Sequence, residues 1–131
     1  MFTVSDIRRF RGLIKAFGLA YPKVMDELTD EDLRAVCNGI GPDHWPEELR
    51  ALSTTLFGPY AVCHVPHDVR YDRKVGTREQ ADREFYDNSL LIWKFRWGWQ
   101  RFIAPTAIKE RIALWLAYRL LVRFAKKAWE D

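Results

Sequence analysis

Cysteine is scarce in this chain: Cys37 and Cys63 are the only two among 131 residues. Disulfide-stapled secreted domains of this size carry more. A bridge-dense scaffold is therefore excluded, and two thiols in a reducing cell are expected, with a single bridge as the alternative. Long apolar runs are missing too. The longest, Ile112 to Tyr118, spans seven residues, whereas a membrane helix needs roughly 18. The opening stretch MFTVSDIRRF lacks the apolar centre of a signal peptide, which again points to an intracellular protein. No segment sustains a period of two, so little sheet is expected. Neither repeats nor low-complexity segments are visible. Net charge is only +3, but residues 1–25 carry +4, residues 26–50 carry −6, residues 51–90 carry −1 and residues 91–131 carry +6. Two explanations stay open: basic terminal helices packed on an acidic middle, or a basic end drawn to lipid headgroups or nucleic acid.

What is present suffices for one folded domain over residues 1–131. Apolar residues make up 48% and include six Trp, eight Phe and five Tyr. The periodicity predicts an all-α fold. Ile7, Phe10, Ile14 and Phe17 recur at three and four, giving an amphipathic helix from Ser5 to Ala20 with Ser5 as N-cap and Gly18 and Pro22 ending it. Thr29 caps a short helix with an acidic first turn. Cys37 to Pro46, CNGIGPDHWP, reads as a loop because glycine, proline and asparagine crowd it. A helix is expected over Glu47 to Phe57, then another from Tyr60 toward Arg73 that Pro66 kinks or restarts. Thr77 caps a helix from Arg78 to about Trp93, and Thr106 caps a long last helix reaching nearly to Trp129.

The chemistry concentrates in PHDVRY, Pro66 to Tyr71. On a helix His67 and Tyr71 share a face, and Asp68 points about 100° away. Asp82 follows eleven residues after Tyr71. Packed antiparallel, its helix brings a carboxylate to the His67 ring, giving a base, an orienting acid and a phenol. Asp82 also lies four residues after Arg78, which could instead be its partner.

The HD-x-x-Y motif, the aspartate on a following helix and the upstream glycine loop together resemble the phospholipases A2. The likeness is to short phage-encoded and bacterial members in particular. Their NG-x-GP loop corresponds to Asn38 to Pro42, and their AD-x-x-F element to Ala81, Asp82 and Phe85. It covers about residues 36–90. It implies a pair of helices with a glycine-rich loop, flanked here by additional N- and C-terminal amphipathic helices. It further implies calcium-dependent hydrolysis of a phospholipid ester. His67 would be the general base, with Tyr71 and Asp82 holding it. Calcium would lie between the Asp68 carboxylate and the carbonyls of Cys37, Gly39 and Gly41, a hard-oxygen set suited to that ion. The expected setting is a host or bacterial cytoplasm, a peripheral place at the inner membrane, or a virion.

Other expectations stand beside this one. Cys37, His44, Cys63 and His64 or His67 could form a zinc site, although close ligand pairs are missing. Trp93, Phe95, Trp97, Trp99 and Phe102 interleave with Lys94, Arg96 and Arg101 in a basic, aromatic C-terminal part, residues 91–131. That mixture suits a helical core, an anionic membrane surface or single-stranded nucleic acid, the last unsupported by any motif. A non-catalytic phage protein that binds a host or virion protein through the same scaffold is the alternative function.

Overall fold

The computed structural model describes residues 2–39 and 47–130. These form helices and turns, with no strand among them. The order is α1 (Val4–Phe17), a 3-10 turn (Lys23–Glu27), α2 (Asp30–Gly39), α3 (Glu47–Arg50), α4 (Ser53–Leu56), a 3-10 turn (Ala61–Cys63), α5 (His64–Arg73), α6 (Arg78–Trp97), a 3-10 turn (Gly98–Phe102), α7 (Pro105–Phe124) and α8 (Lys126–Glu130).

Capping decides several boundaries. α1 starts at Thr3 rather than Ser5: the Thr3 hydroxyl accepts from the Asp6 N–H while the Asp6 carboxylate accepts from the Thr3 N–H, so two of the orphan donors of a first turn are satisfied. Thr29 with Asp32, and Thr77 with Gln80, repeat the device. α7 begins at Pro105, not behind Thr106; proline at a first helical position has its φ already set and no N–H to strand. α6 passes Trp93 and ends at Gly98, whose φ is +54°. Two short helices replace the single one expected over Glu47 to Phe57.

Pro66 restarts the chain rather than kinking it. After the 3-10 turn Ala61–Cys63, α5 opens at His64, so Pro66 is its third residue. Its missing N–H falls among the four that a helix start leaves unpaired anyway.

The core joins Ile7, Phe10 and Ile14 of α1 to Leu33 of α2, Val65 and Val69 of α5, Phe85 of α6 and Leu114 of α7. Asn88 clamps α6 to the segment after α1, with its amide donating to and accepting from Ala20 at 2.9 Å each. Arg8 and Arg11 on α1 pair with Asp30 on α2 at 3.2 and 2.9 Å, so part of the basic N-terminus is neutralised by the acidic middle. α6 and α7 form an antiparallel pair that Trp93 locks by donating from Nε1 to the Ala107 carbonyl at 2.8 Å. No described helix is long and apolar enough to cross a membrane.

α7 offers a test of which face is inside. Leu114 is buried and Ile112 is exposed. Leu114→Ala should cost about 2–5 kcal/mol in urea unfolding, because it opens a cavity. Ile112→Ala should stay within about 0.5 kcal/mol. Equal losses for the two would show that the assigned face is wrong.

Candidate active site

The turn between α5 and α6 sets the site. Lys74 ends α5 in the left-handed region, and Gly76 follows with φ +75°. A Cβ on Gly76 would lie 2.5 Å from Oε1 of Gln80, the side chain that caps α6, so backbone conformation and space both call for glycine. The turn folds α6 back on α5. Arg70 then meets Glu84 through two parallel hydrogen bonds, Nε to Oε1 at 2.9 Å and Nη2 to Oε2 at 2.8 Å. Such a fork fixes rotation and register together.

In that register one carboxylate oxygen collects two donors. His67 Nε2 lies 2.9 Å from Asp82 Oδ1, and the Tyr71 hydroxyl donates to the same oxygen at 2.6 Å. All three side chains are buried. The other oxygen, Oδ2, makes no hydrogen bond among the described residues. Arg78 Nη1 lies 3.9 Å from it. The expected alternative, Arg78 against Asp82, is thus present as a long ion pair on the second oxygen, while His67 and Tyr71 share the first.

The opposite ring nitrogen, Nδ1, faces Asp68 Oδ1 at 3.8 Å, beyond hydrogen-bond distance. Burial disfavours the imidazolium, but the carboxylates of Asp68 and Asp82 outweigh it and raise His67 to about 9. Burial raises Asp68 to about 6, against the pull of His67. Burial, and then the Asp82 carboxylate, push the Tyr71 phenol up. It therefore stays a donor at neutral pH. The imidazole ring is walled by Tyr71 and Phe85, with centroids at 4.5 and 5.4 Å.

Cys37 and Gly39 lie in the last turn of α2, not in a loop as expected from CNGIGP. α2 packs against α5 and stays helical through Gly39, the first glycine of that stretch. Gly41 and His44 lie outside the described residues. Asp68 is near this helix end: the Cys37 thiol is pushed up first by burial and then by the Asp68 charge. The last carbonyls of a helix have no partner within it, and its C-terminal dipole favours a cation. Asp68 thus lies beside Cys37 near the end of α2, and carboxylate and carbonyl oxygens are donors of the kind that calcium takes.

Soft and nitrogen ligands do not converge. No group of three or more His, Cys, Asp or Glu side chains among the described residues could hold a metal. His64 Nε2 lies 3.1 Å from the Leu56 carbonyl, and its ring stacks on Phe57 at 4.5 Å. Burial, then His67, lower His64 to about 3, so it is neutral. Cys37 and Cys63 are free and buried, and burial pushes Cys63 up to about 12. The zinc arrangement therefore gains no support from its described members.

Arg70, Glu84 and Gly76 also support the site. Gly76 had a signal, a glycine before a capping threonine. Arg70 and Glu84 had none, being fourteen residues apart across a turn. Comparison with protein-family models, curated proteins and solved structures finds no match.

The ion pair predicts a pH dependence of stability. His67 is raised from 6.5 to about 9 in the folded chain. Protonation therefore favours the fold fully below 6.5, and this contribution is lost as pH rises through about 9. Urea unfolding followed across that window should show the decline in wild type and a flatter profile in His67→Gln. Parallel profiles would mean that the pair does not form.

Proposed function

We propose that the chain is a calcium-dependent phospholipid ester hydrolase of the phospholipase A2 type, of phage or bacterial origin. The observation that carries this reading is the convergence of His67 Nε2 and the Tyr71 hydroxyl on Asp82 Oδ1. It supports the reading because it turns Nδ1 away from the orienting carboxylate and leaves it as the reactive nitrogen. Asp82 holds the Nε2–H tautomer, and Tyr71 fixes the Asp82 rotamer.

In the proposed reaction neutral His67 takes a proton from water at Nδ1. The water oxygen bonds to the ester carbonyl carbon. The ester C–O bond then breaks, and the imidazolium returns its proton to the leaving alkoxide. Calcium, when bound through Asp68 and the carbonyls of Cys37 and Gly39, would polarise the ester carbonyl. Gly41 would complete that set by resemblance alone. Asp68 has a second part: its charge helps hold His67 near 9, and an imidazolium cannot accept a proton. Engagement of Asp68 by a cation releases that hold, so the base and the ion site are coupled.

One observation favours a second reading. With His67 raised to about 9 between two carboxylates, the trio is also a sound structural ion pair in a non-catalytic scaffold that binds a host or virion protein.

Two measurements separate them. Under the hydrolase reading, wild type releases fatty acid from mixed phospholipid in calcium, and His67→Gln loses at least the roughly 10²–10⁴-fold expected for a general base. Asp82→Asn loses less, because it orients rather than reacts. Independently of turnover, calcium lowers the His67 imidazole pKa seen by NMR, and Asp68→Asn removes the effect. A wild type that releases no fatty acid, with an imidazole indifferent to calcium, would leave the scaffold reading standing.

A further inference from the structure

We propose that the outward face of α7, with the 3-10 turn leading into it, is a docking surface for an anionic lipid bilayer. Every exposed large hydrophobic side chain among the described residues lies between Leu91 and Phe124. α7 is apolar on two sides. Ala107, Leu114, Ala117 and Leu121 face the core, while Ile108, Ile112, Trp115 and Val122 are 45, 53, 50 and 37% exposed. Their spacings of four, three and seven keep the second group on one stripe about 20 Å long. Trp99 and Phe102 in the preceding turn extend it, 69 and 70% exposed. So continuous an apolar strip is seldom left to water.

Charge selects what covers it. Lys109, Arg119 and Arg123 have no acidic partner among the described residues. Arg119 lies over the Trp115 ring at 5.9 Å and Arg101 over Phe102 at 4.5 Å, so these guanidiniums rest on aromatics rather than on carboxylates. The acids nearby are used. Glu110 is half-buried and accepts from Tyr60, Arg96 and Trp97, and Glu130 pairs with Lys126 at 3.9 Å. A second copy meeting this face with its own would set cations against cations, with no unpaired acid on the face among the described residues to meet them. An anionic lipid surface supplies the missing charge over the whole strip. Indoles at headgroup depth with Lys and Arg stems laid alongside are the pattern that a bilayer interface favours. With no helix able to cross, the contact is peripheral.

This face is not the one that the aromatic spacing alone suggested. Trp93 is buried on α6 and bonded to Ala107, so the surface is carried chiefly by α7. It stands apart from the hydrolase reading, because binding is measured without turnover.

The test is vesicle flotation of the full chain in chelator, using phosphatidylcholine with and without phosphatidylglycerol. Wild type should bind only the anionic vesicles and leave them as salt is raised. Lys109→Glu and Arg119→Glu should each weaken binding at least about fivefold, and Ile112→Ser should weaken it too, with helical circular dichroism unchanged. Lys23→Glu, which lies off this face, should change little. Equal loss in Lys23→Glu would reduce the effect to net charge and overturn the assignment. Indifference to anionic vesicles would overturn it as well, and sedimentation showing a dimer that Ile112→Ser dissolves would assign the face to a second copy.

Discussion

A buried carboxylate organises this molecule. Asp82 lies out of water near the start of α6, where a bare charge would be costly. His67, Tyr71 and, at longer range, Arg78 are brought to it. Those three come from two helices, so the carboxylate also ties α5 to α6. Removing either donor would leave a buried acceptor short of a partner, an effect of about 1–3 kcal/mol. Chemistry and stability therefore draw on the same contacts, and the imidazole that the proposed reaction needs as a base is the one that the fold holds as a cation.

Around that centre, the α5–α6 hairpin is pinned at several points. Gly76 permits the turn, Gln80 and Thr77 close the start of α6, and the Arg70–Glu84 fork sets the register. A shift of one residue along either helix would separate His67 from Asp82 and break the fork at once. Glu110 performs the equivalent task at the far end of α6, gathering Tyr60, Arg96 and Trp97. Phe95 stands thirteen residues beyond Asp82, about 20 Å along the helix. The exposed aromatic turn is thus far from the imidazole. α7 returns over that distance: Arg78 at the start of α6 donates to the Val122 carbonyl near its end.

Two amphipathic logics meet on α7. A helix of a small globular domain ordinarily has one apolar face and one wet one. Here the inward face packs on α6, while the outward face stays apolar and cationic. The basic C-terminal part and the basic N-terminus consequently differ in kind. Arg8 and Arg11 are met by Asp30, whereas Lys109 and Arg119 look outward.

The all-α class was legible in the sequence, because apolar residues recur at three and four over most of the chain; the alternating stretch from Trp93 to Trp99 is helical through Trp97 all the same. The sequence by itself also determined the starts of α2 and α6, where Thr29 and Thr77 carry their capping signatures within three residues. That Asp82 could meet His67 and Tyr71 was legible as well: residues four apart share a helical face, and a short turn returns the chain. Only the tertiary structure decided that the two donors meet on one oxygen of Asp82, that Arg78 is left with the other, and that Pro66 falls where its missing N–H does no harm. It likewise decided that α2 continues through Cys37 and Gly39, that Trp93 is buried while Trp99 is exposed, and that Arg70 finds Glu84. Each of these depends on register and rotation between helices, which are set by side chains many residues apart and leave no periodic trace along the chain.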